Sequence, residues 1–291
     1  DIVEYGTQST IDLDALETAL RAHPSDHYKA VLVTHVDTST SVKNDIAAVR
    51  ALLDDLGSNA LLAVDCVASL GCDEFKMDAW GADVMVAACQ KGLMVPAGMA
   101  FVYFNDKAAE RQKQLPYVSS YWEWGQRANP EILAHYFCGT APTHHLYGLR
   151  VALDMIRAEG IENIWERHAT LAKAIWAAVA CWGADGPMRM NIQDSSLRST
   201  AVTALHMGIP HAKNLRNWTQ HSAGLTLGIG LGMSTPEDPK GDGFFRFGHM
   251  GHVNAQMILG MLSTVQAGLI AINIPHGTGA IDAAAQVIAG A

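Results

Sequence analysis

Three short stretches each follow an apolar run, and each carries side chains able to do chemistry. The first, "THVDTSTSV" (residues 34–42), offers hydroxyls at Thr38, Ser39 and Thr40 that can bond a phosphate. The second, "VDCVASLG" (residues 64–71), offers Asp65. The third, "ACQKG" (residues 88–92), offers Gln90 and Lys91, followed by Gly92, where backbone can approach a ligand closely. Lysine is among the residues least often buried, so a cation at the exit of a buried run needs a reason. A carboxylate and an amine opening on one crevice, beside phosphate donors, are the parts that pyridoxal phosphate requires. It needs a lysine to condense with its aldehyde, a carboxylate to keep its pyridine nitrogen protonated, and donors for its phosphate arm. The protonated ring would draw electrons from a substrate Cα–H bond, and the freed lysine amine would move that proton. A lysine desolvated beside such a ring is expected to have a lowered pKa. Each residue also has a plainer reading. Lys91 can snorkel to water, Asp65 can cap the next turn, and the hydroxyls can belong to an ordinary loop.

The elements that must position these residues alternate between strand and helix. "KAVLVT" (29–34) reads as a strand. "NDIAAVRALLDDLG" (44–57) reads as a helix with Asn44 as its cap and Gly57 at its end. "ALLAVD" closes at Asp65 as the next strand, "MDAWGA" is a short turn or helix, and "DVMVAA" is a third strand. "GMAFVYF" is a fourth, reversed after the "VPAG" turn. Strand–helix–strand order with continuous apolar strands implies an α/β fold whose mostly parallel sheet is sandwiched by helices. In such sheets ligands bind beyond the carboxyl ends of the strands, where the three stretches fall. From Thr143 to Trp182 the pattern is helical, with a break at Gly160. After Gly183 come two short strands, "STAVTALHM" and "FFRFGHM", with a helix "HAKNLRNWTQHS" and a strand "LTLGIGLG" between them; the end from Asn254 is helical. The expected division is residues 1–150 as a large cofactor-binding part, 151–182 as linking helices, and 183–291 as a smaller C-terminal α+β domain.

Composition narrows the function classes. With 49% hydrophobic and 17% charged residues in 291, the chain can bury a sizeable core and is not disordered. A net charge of -9 argues against non-specific nucleic-acid binding, which needs a basic face. No apolar run is long enough to suggest a membrane span, so no membrane partner is expected. Five cysteines (Cys66, Cys72, Cys89, Cys138, Cys181) sit in or beside apolar segments without a CxxC pair, which predicts reduced thiols in a cytoplasmic setting. The opening "DIVEYGTQSTIDLDALETAL" resembles neither a signal nor a transit peptide. It reads as the end of a strand, a loop and a helix, so the chain is expected to start inside a larger protein.

The order "THVDTSTSV", "VDCVASLG", "ACQKGLMVPAG", "FRFGHMGH" resembles the class V aminotransferases, and within them the alanine–glyoxylate and serine–glyoxylate group. The resemblance runs from Ile2 to about Gly268, and the 26 positions from Asp65 to Lys91 match the family's spacing. It implies fold type I of pyridoxal-phosphate enzymes and a homodimer with shared active sites. Lys91 would be the lysine that bonds the cofactor's aldehyde, and Asp65 would pair with the pyridine nitrogen. Val67 would pack on the ring, Thr38 and Gln90 would hold the phosphate, and Thr140, in "FCGTAP", would reach the partner subunit's phosphate. Family members carry a tyrosine three residues before that threonine; here the position is Phe137, beside Tyr136. Arg246 would grip the substrate carboxylate with its fork of donors, which lysine does poorly. Taken alone, a strand arginine is more ordinarily a cross-strand ion pair. His249 would line the substrate entrance. The family begins about 100 residues earlier, with a Gly-rich phosphate loop and a ring-stacking aromatic that have no counterpart here. A longer polypeptide, or an incomplete cofactor site, is therefore implied.

The activity expected is transfer of an amino group from serine, alanine or aspartate to glyoxylate or pyruvate, so the partners are small amino acids and 2-oxo acids. A lyase or desulfurase of the same fold would need an exposed, mobile cysteine, and the cysteines look packed. A non-catalytic fragment or paralogue acting only in assembly is the third reading. His249–His252 and His144–His145 lack a carboxylate or cysteine at metal spacing, so no metal is expected. "GIGLG" lacks the context of a dinucleotide loop, and no G-x-S-x-G occurs. Trp122, Trp124 and Trp165 read as core or dimer contacts. "YVSSYWEWGQR" (117–127), aromatic and loop-like, is expected to shape substrate choice.

Overall fold

Runs of β-branched and apolar residues build the first sheet. The computed structural model describes residues 1–137 and 139–290, so Cys138 lies outside the described residues. The chain runs through α1 (Leu13–Arg21), β1 (Ala30–Thr34), α2 (Ile46–Asp55), β2 (Leu61–Asp65), β3 (Val84–Ala88) and β4 (Ala100–Phe104). Strands β1, β2 and β3 are parallel neighbours in that order, and β4 pairs antiparallel with β3. Register places Thr34 beside Asp65 and Asp65 beside Val86, so β1 and β2 end level and β3 runs two residues further at the same edge. Ile46, Val49 and Leu53 of α2 pack on Val33, Leu62, Val64 and Met85, with α1 residues Leu13, Leu16 and Leu20 at the margin. On the opposite face Leu32, Val86 and Val102 remain exposed.

Local chemistry fixes the helix ends. The cap of α2 is Asp45, whose carboxylate accepts the Ala48 N–H, rather than the expected Asn44. Asn44 is occupied otherwise: its Nδ2 donates to the Thr34 carbonyl at 2.8 Å and its Oδ1 accepts the Ile11 N–H at 2.9 Å. A buried amide side chain that can satisfy two separate backbone groups is worth more there than at a solvent-facing cap. At the other end of α2, Gly57 takes the left-handed conformation that closes the helix.

The chain continues through α3 (Asp106–Lys113), α4 (Trp124–Ala128), α5 (Thr143–Glu159) and α6 (Ile161–Ala184). Gly160, at φ +86°, separates α5 from α6. A second, antiparallel sheet follows, from β5 (Arg189–Met190), β6 (Val202–His206), β7 (Gly228–Ile229) and β8 (Phe244–Gly248), in the order β5-β6-β8-β7. Of "LTLGIGLG", only Gly228–Ile229 form a strand. Between β6 and β7 lies α7 (His211–Ala223), and after β8 come α8 (Ala255–Ala271) and α9 (Ala280–Ala289). Phe245, Phe247 and Leu205 point into a second core with Ile175, Ala178 and Trp182 of α6, Leu215 of α7 and Leu262 and Leu269 of α8. Among the described residues no helix is long and apolar enough to cross a membrane.

Candidate active site

Beyond the ends of β1, β2 and β3 the chain makes three turns, and the residues expected to act together fall on them. Asp65 ends β2 and is exposed; its Oδ1 accepts the Val67 N–H at 2.8 Å. One oxygen therefore shapes the turn, while Oδ2 meets no donor among the described residues. Half-buried Val67 begins a helical turn in which Ser69 and Leu70 donate to the Cys66 carbonyl.

Lys91 lies in the turn after β3, closed by Met94 N–H to the Lys91 carbonyl and Val95 N–H to the Cys89 carbonyl. Its side chain is half-buried, and no carboxylate pairs with it among the described residues. Gly92 explains the shape of this turn. A Cβ there would sit 2.1 Å from the Leu70 carbonyl oxygen and 2.9 Å from the Cys72 sulfur, so only glycine allows the lysine turn to lie on the Asp65 turn. The two reactive groups are thus held on backbones in direct contact. Gln90, next to Lys91, is exposed.

The β1 turn is built around Asp37, which sequence reasoning passed over. Its Oδ1 accepts the Ser39 N–H, its Oδ2 accepts the Thr40 hydroxyl at 2.8 Å, and its carbonyl accepts the Ser41 N–H. Thr40 is buried, so its hydroxyl is already committed and is not open to a phosphate. Thr38 and Ser39 stay half-exposed.

Arg246, on β8, reaches this turn across the molecule. Its Nη1 donates to the Thr38 carbonyl at 2.9 Å and its Nε to the Ile229 carbonyl at 2.8 Å. No carboxylate lies within ion-pair distance among the described residues, so the cross-strand ion pair is not made. Burial lowers the Arg246 pKa, against the opposing charge of Asp37.

Two expected members do not join the group. Thr140 is exposed, in the segment leading into α5, and bonds to none of the others among the described residues. His249 is fully buried and cannot line an entrance. Its Nε2 lies 2.9 Å from the Thr203 hydroxyl, which also accepts the Trp176 Nε1–H, and burial drives its pKa down to about 3. The apolar strand β8 carries it inward with Phe245 and Phe247, an inside position that "GHMGH" alone does not disclose.

The three cysteines nearest these turns are packed away, and the fourth described one, Cys181, is half-buried on α6. Cys66, Cys72 and Cys89 are buried, and burial pushes the first two thiols up to about 12. No group of three or more metal-ligating side chains occurs among the described residues.

Residues 1–216 match the sequence profile of the family described as aminotransferase class-V. The chain is 36% identical to the serine–glyoxylate aminotransferase of Arabidopsis thaliana over 290 residues, covering 98% of this chain and 69% of that protein. It is 33% identical to the L-aspartate–glyoxylate aminotransferase of Paracoccus denitrificans, over 95% of this chain and 67% of that protein. Among solved structures, the ureidoglycine–glyoxylate aminotransferase of Bacillus subtilis superposes with a TM-score of 0.82 at 26% identity, over 98% of this chain and 71% of that one. The pyridoxamine–pyruvate aminotransferase of Mesorhizobium loti superposes with a TM-score of 0.81 at 28% identity, over 97% and 69%.

Proposed function

The chain belongs to the class-V aminotransferase family, and from that premise we propose that it moves an amino group from serine, alanine or aspartate to glyoxylate or pyruvate with pyridoxal phosphate held at the three strand ends. The observation that carries this reading is the half-buried, unpaired amine of Lys91 on a turn packed against that of Asp65. The donor set suits the cofactor: a free amine, a carboxylate oxygen without a donor, and half-exposed hydroxyls at Thr38 and Ser39. Pyridoxal phosphate, when bound, supplies an aldehyde that takes up amino groups and a ring that withdraws electrons from the substrate's Cα.

The chain's own residues do the rest. Asp65 holds the proton on the pyridine nitrogen through its carboxylate, which keeps the ring positive. Lys91 Nζ takes the proton from Cα and returns it, as general base and then acid. Thr38 and Gln90 donate to the phosphate, Val67 packs on the ring face, and Thr140 serves the phosphate of the partner subunit. Arg246 receives the substrate carboxylate on the N–H groups that its bonds to Ile229 and Thr38 leave over; those two bonds fix the plane of the guanidinium beforehand. The names of the relatives, which act on serine, aspartate and glyoxylate, support the substrate class. A homodimer is supported by the exposed apolar residues Tyr147 and Val151 of α5. A cytoplasmic setting is supported by the four described cysteines, all of them free thiols.

Incubating the full polypeptide with pyridoxal phosphate, each donor and glyoxylate tests the proposal. Glycine is expected from at least one donor, and its absence from all of them, with pyruvate giving no alanine either, would overturn it. Lys91→Ala is expected to abolish both product and the cofactor's bound absorbance.

A further inference from the structure

Behind the lysine turn, three segments meet on one guanidinium. Arg167, on α6, forms a two-pronged ion pair with Glu159, the last residue of α5: Nε to Oε1 at 2.5 Å and Nη2 to Oε2 at 3.0 Å. Its remaining arm, Nη1, donates to the Gly251 carbonyl at 3.1 Å and the Val253 carbonyl at 2.8 Å. Residues 251–253 follow β8, the strand that carries Arg246. Gly251 in turn lies on the lysine turn. At φ +79° a Cβ there would stand 2.9 Å from Met94 Cγ and 3.7 Å from the Lys91 carbonyl oxygen. Met94 itself holds a left-handed backbone at φ +61°, which non-glycine residues keep only where their surroundings impose it. Gly71, Gly92, Met94, Glu159, Arg167 and Gly251 line one small cavity of about 10 Å³.

We infer that Arg167 and Glu159 are positioning residues, which hold the loop after β8 against the Lys91 turn and so set the reach from Arg246 to the Lys91 amine. The inference rests on the transaminase reading for its catalytic consequence, and on geometry alone for its structural one. The fork matters because the pair and the two carbonyls use three nitrogens of one rigid plane. A lysine keeps the charge but can point at only part of that set. The pair also spans the break at Gly160, so it fixes α5 against α6 at the joint where the chain passes from one sheet to the other. Arg167 favours the ionised form of Glu159, whose pKa is lowered chiefly by their hydrogen bonds.

The test uses Arg167→Lys and Glu159→Gln in the full polypeptide, with Arg21→Lys, from an exposed helical pair with Glu17, as control. In the protein without cofactor, amide exchange is expected to speed up in residues 91–95 and 251–254 and at the α5–α6 joint, residues 159–161, and nowhere else. With pyridoxal phosphate, kcat/KM for the amino-acid donor is expected to fall about tenfold or more, while cofactor affinity stays within about twofold of the parent. Unchanged exchange in residues 91–95 and 251–254 overturns the inference. So does exchange that rises everywhere with a matching loss of cofactor affinity, which would mark the pair as general scaffolding. If the parent protein neither binds the cofactor nor transaminates, the functional reading fails instead, and the exchange measurement still decides the positional claim.

Discussion

His249 and Arg246 sit three residues apart, and the opposite fates of their side chains follow from strand alternation plus a turn. Arg246 lies on the face of β8 that turns toward the Thr38 loop; its type and pattern alone pointed to a cross-strand ion pair, which is not made among the described residues, and its role toward a substrate carboxylate came from the family resemblance. His249 was misread because a histidine serves equally as ligand, base or neutral core residue, and only burial distinguishes them. Its Nδ1 and the His35 Nδ1 have no partner within the described residues, so each ring is held neutral by desolvation. The folded pKa values, about 3 for His249 and about 4 for His35, lie below the ordinary 6.5. The unfolded chain therefore binds more protons, and stability is full above pH 6.5 and drains as pH falls toward those folded values. Each histidine withdraws at most about 1.4 kcal/mol per pH unit in that window. Urea midpoints at pH 7, 6 and 5 are expected to decline, and His249→Gln is expected to flatten the decline. Midpoints that stay level between pH 7 and pH 5 would contradict the burial argument.

At the scale of elements, strand and helix order was readable because period-two and apolar-run patterns are local. The reversal of β4 was readable as well, from its turn. Contacts between turns were not. "QKG" does not announce that its glycine lies on the Leu70 carbonyl, because that neighbour is more than twenty residues away in sequence and the approach is backbone to backbone. Asn44 was misassigned for a similar reason: capping residues are recognised by type, and the Thr34 carbonyl and Ile11 N–H that claim its side chain are distant. Gly92→Ala is expected to cost about 1–3 kcal/mol through overpacking against a backbone that cannot step aside, and to weaken cofactor binding by moving Lys91. Gly260→Ala, at an exposed position of α8 with nothing within 4 Å of its Cβ position, is expected to stabilise by about 0.5–1 kcal/mol. Chemical denaturation of both variants checks the contrast. Equal effects would mean that the close approach at Gly92 carries no weight.

For the whole molecule, the change of pattern after Gly183 marked where the second sheet begins, and the division near residues 150–190 is a proposal that unfolding can examine. What no local pattern could reveal is the polar seam joining the two sheets, whose partners lie 126 to 208 residues apart. Arg246 on Thr38 is one stitch; Asn191 Nδ2 on the Thr40 carbonyl and Ala204 N–H on the Ser41 hydroxyl are others. The strongest is Asp73, buried at 2% exposure, whose carboxylate accepts the Ser199 hydroxyl at 2.7 Å, the Thr200 N–H at 2.9 Å and the Thr200 hydroxyl at 3.0 Å. The two principal apolar cores share no residue; apart from the small apolar cluster of Val36, Ala68, Val202 and Met250, such bonds carry the contact between them. Hydrogen bonds to a charged acceptor contribute about 1.5–3 kcal/mol each, and their loss here leaves buried donors unmet. Asp73→Ala is therefore expected to cost on the order of 3 kcal/mol or more. In calorimetry the parent is expected to melt in a single transition and Asp73→Ala in two, because the strongest link between the cores is then gone. A single transition that merely moves to lower temperature would mean that the sheets unfold as one unit without the seam, and that the division into separate domains is wrong.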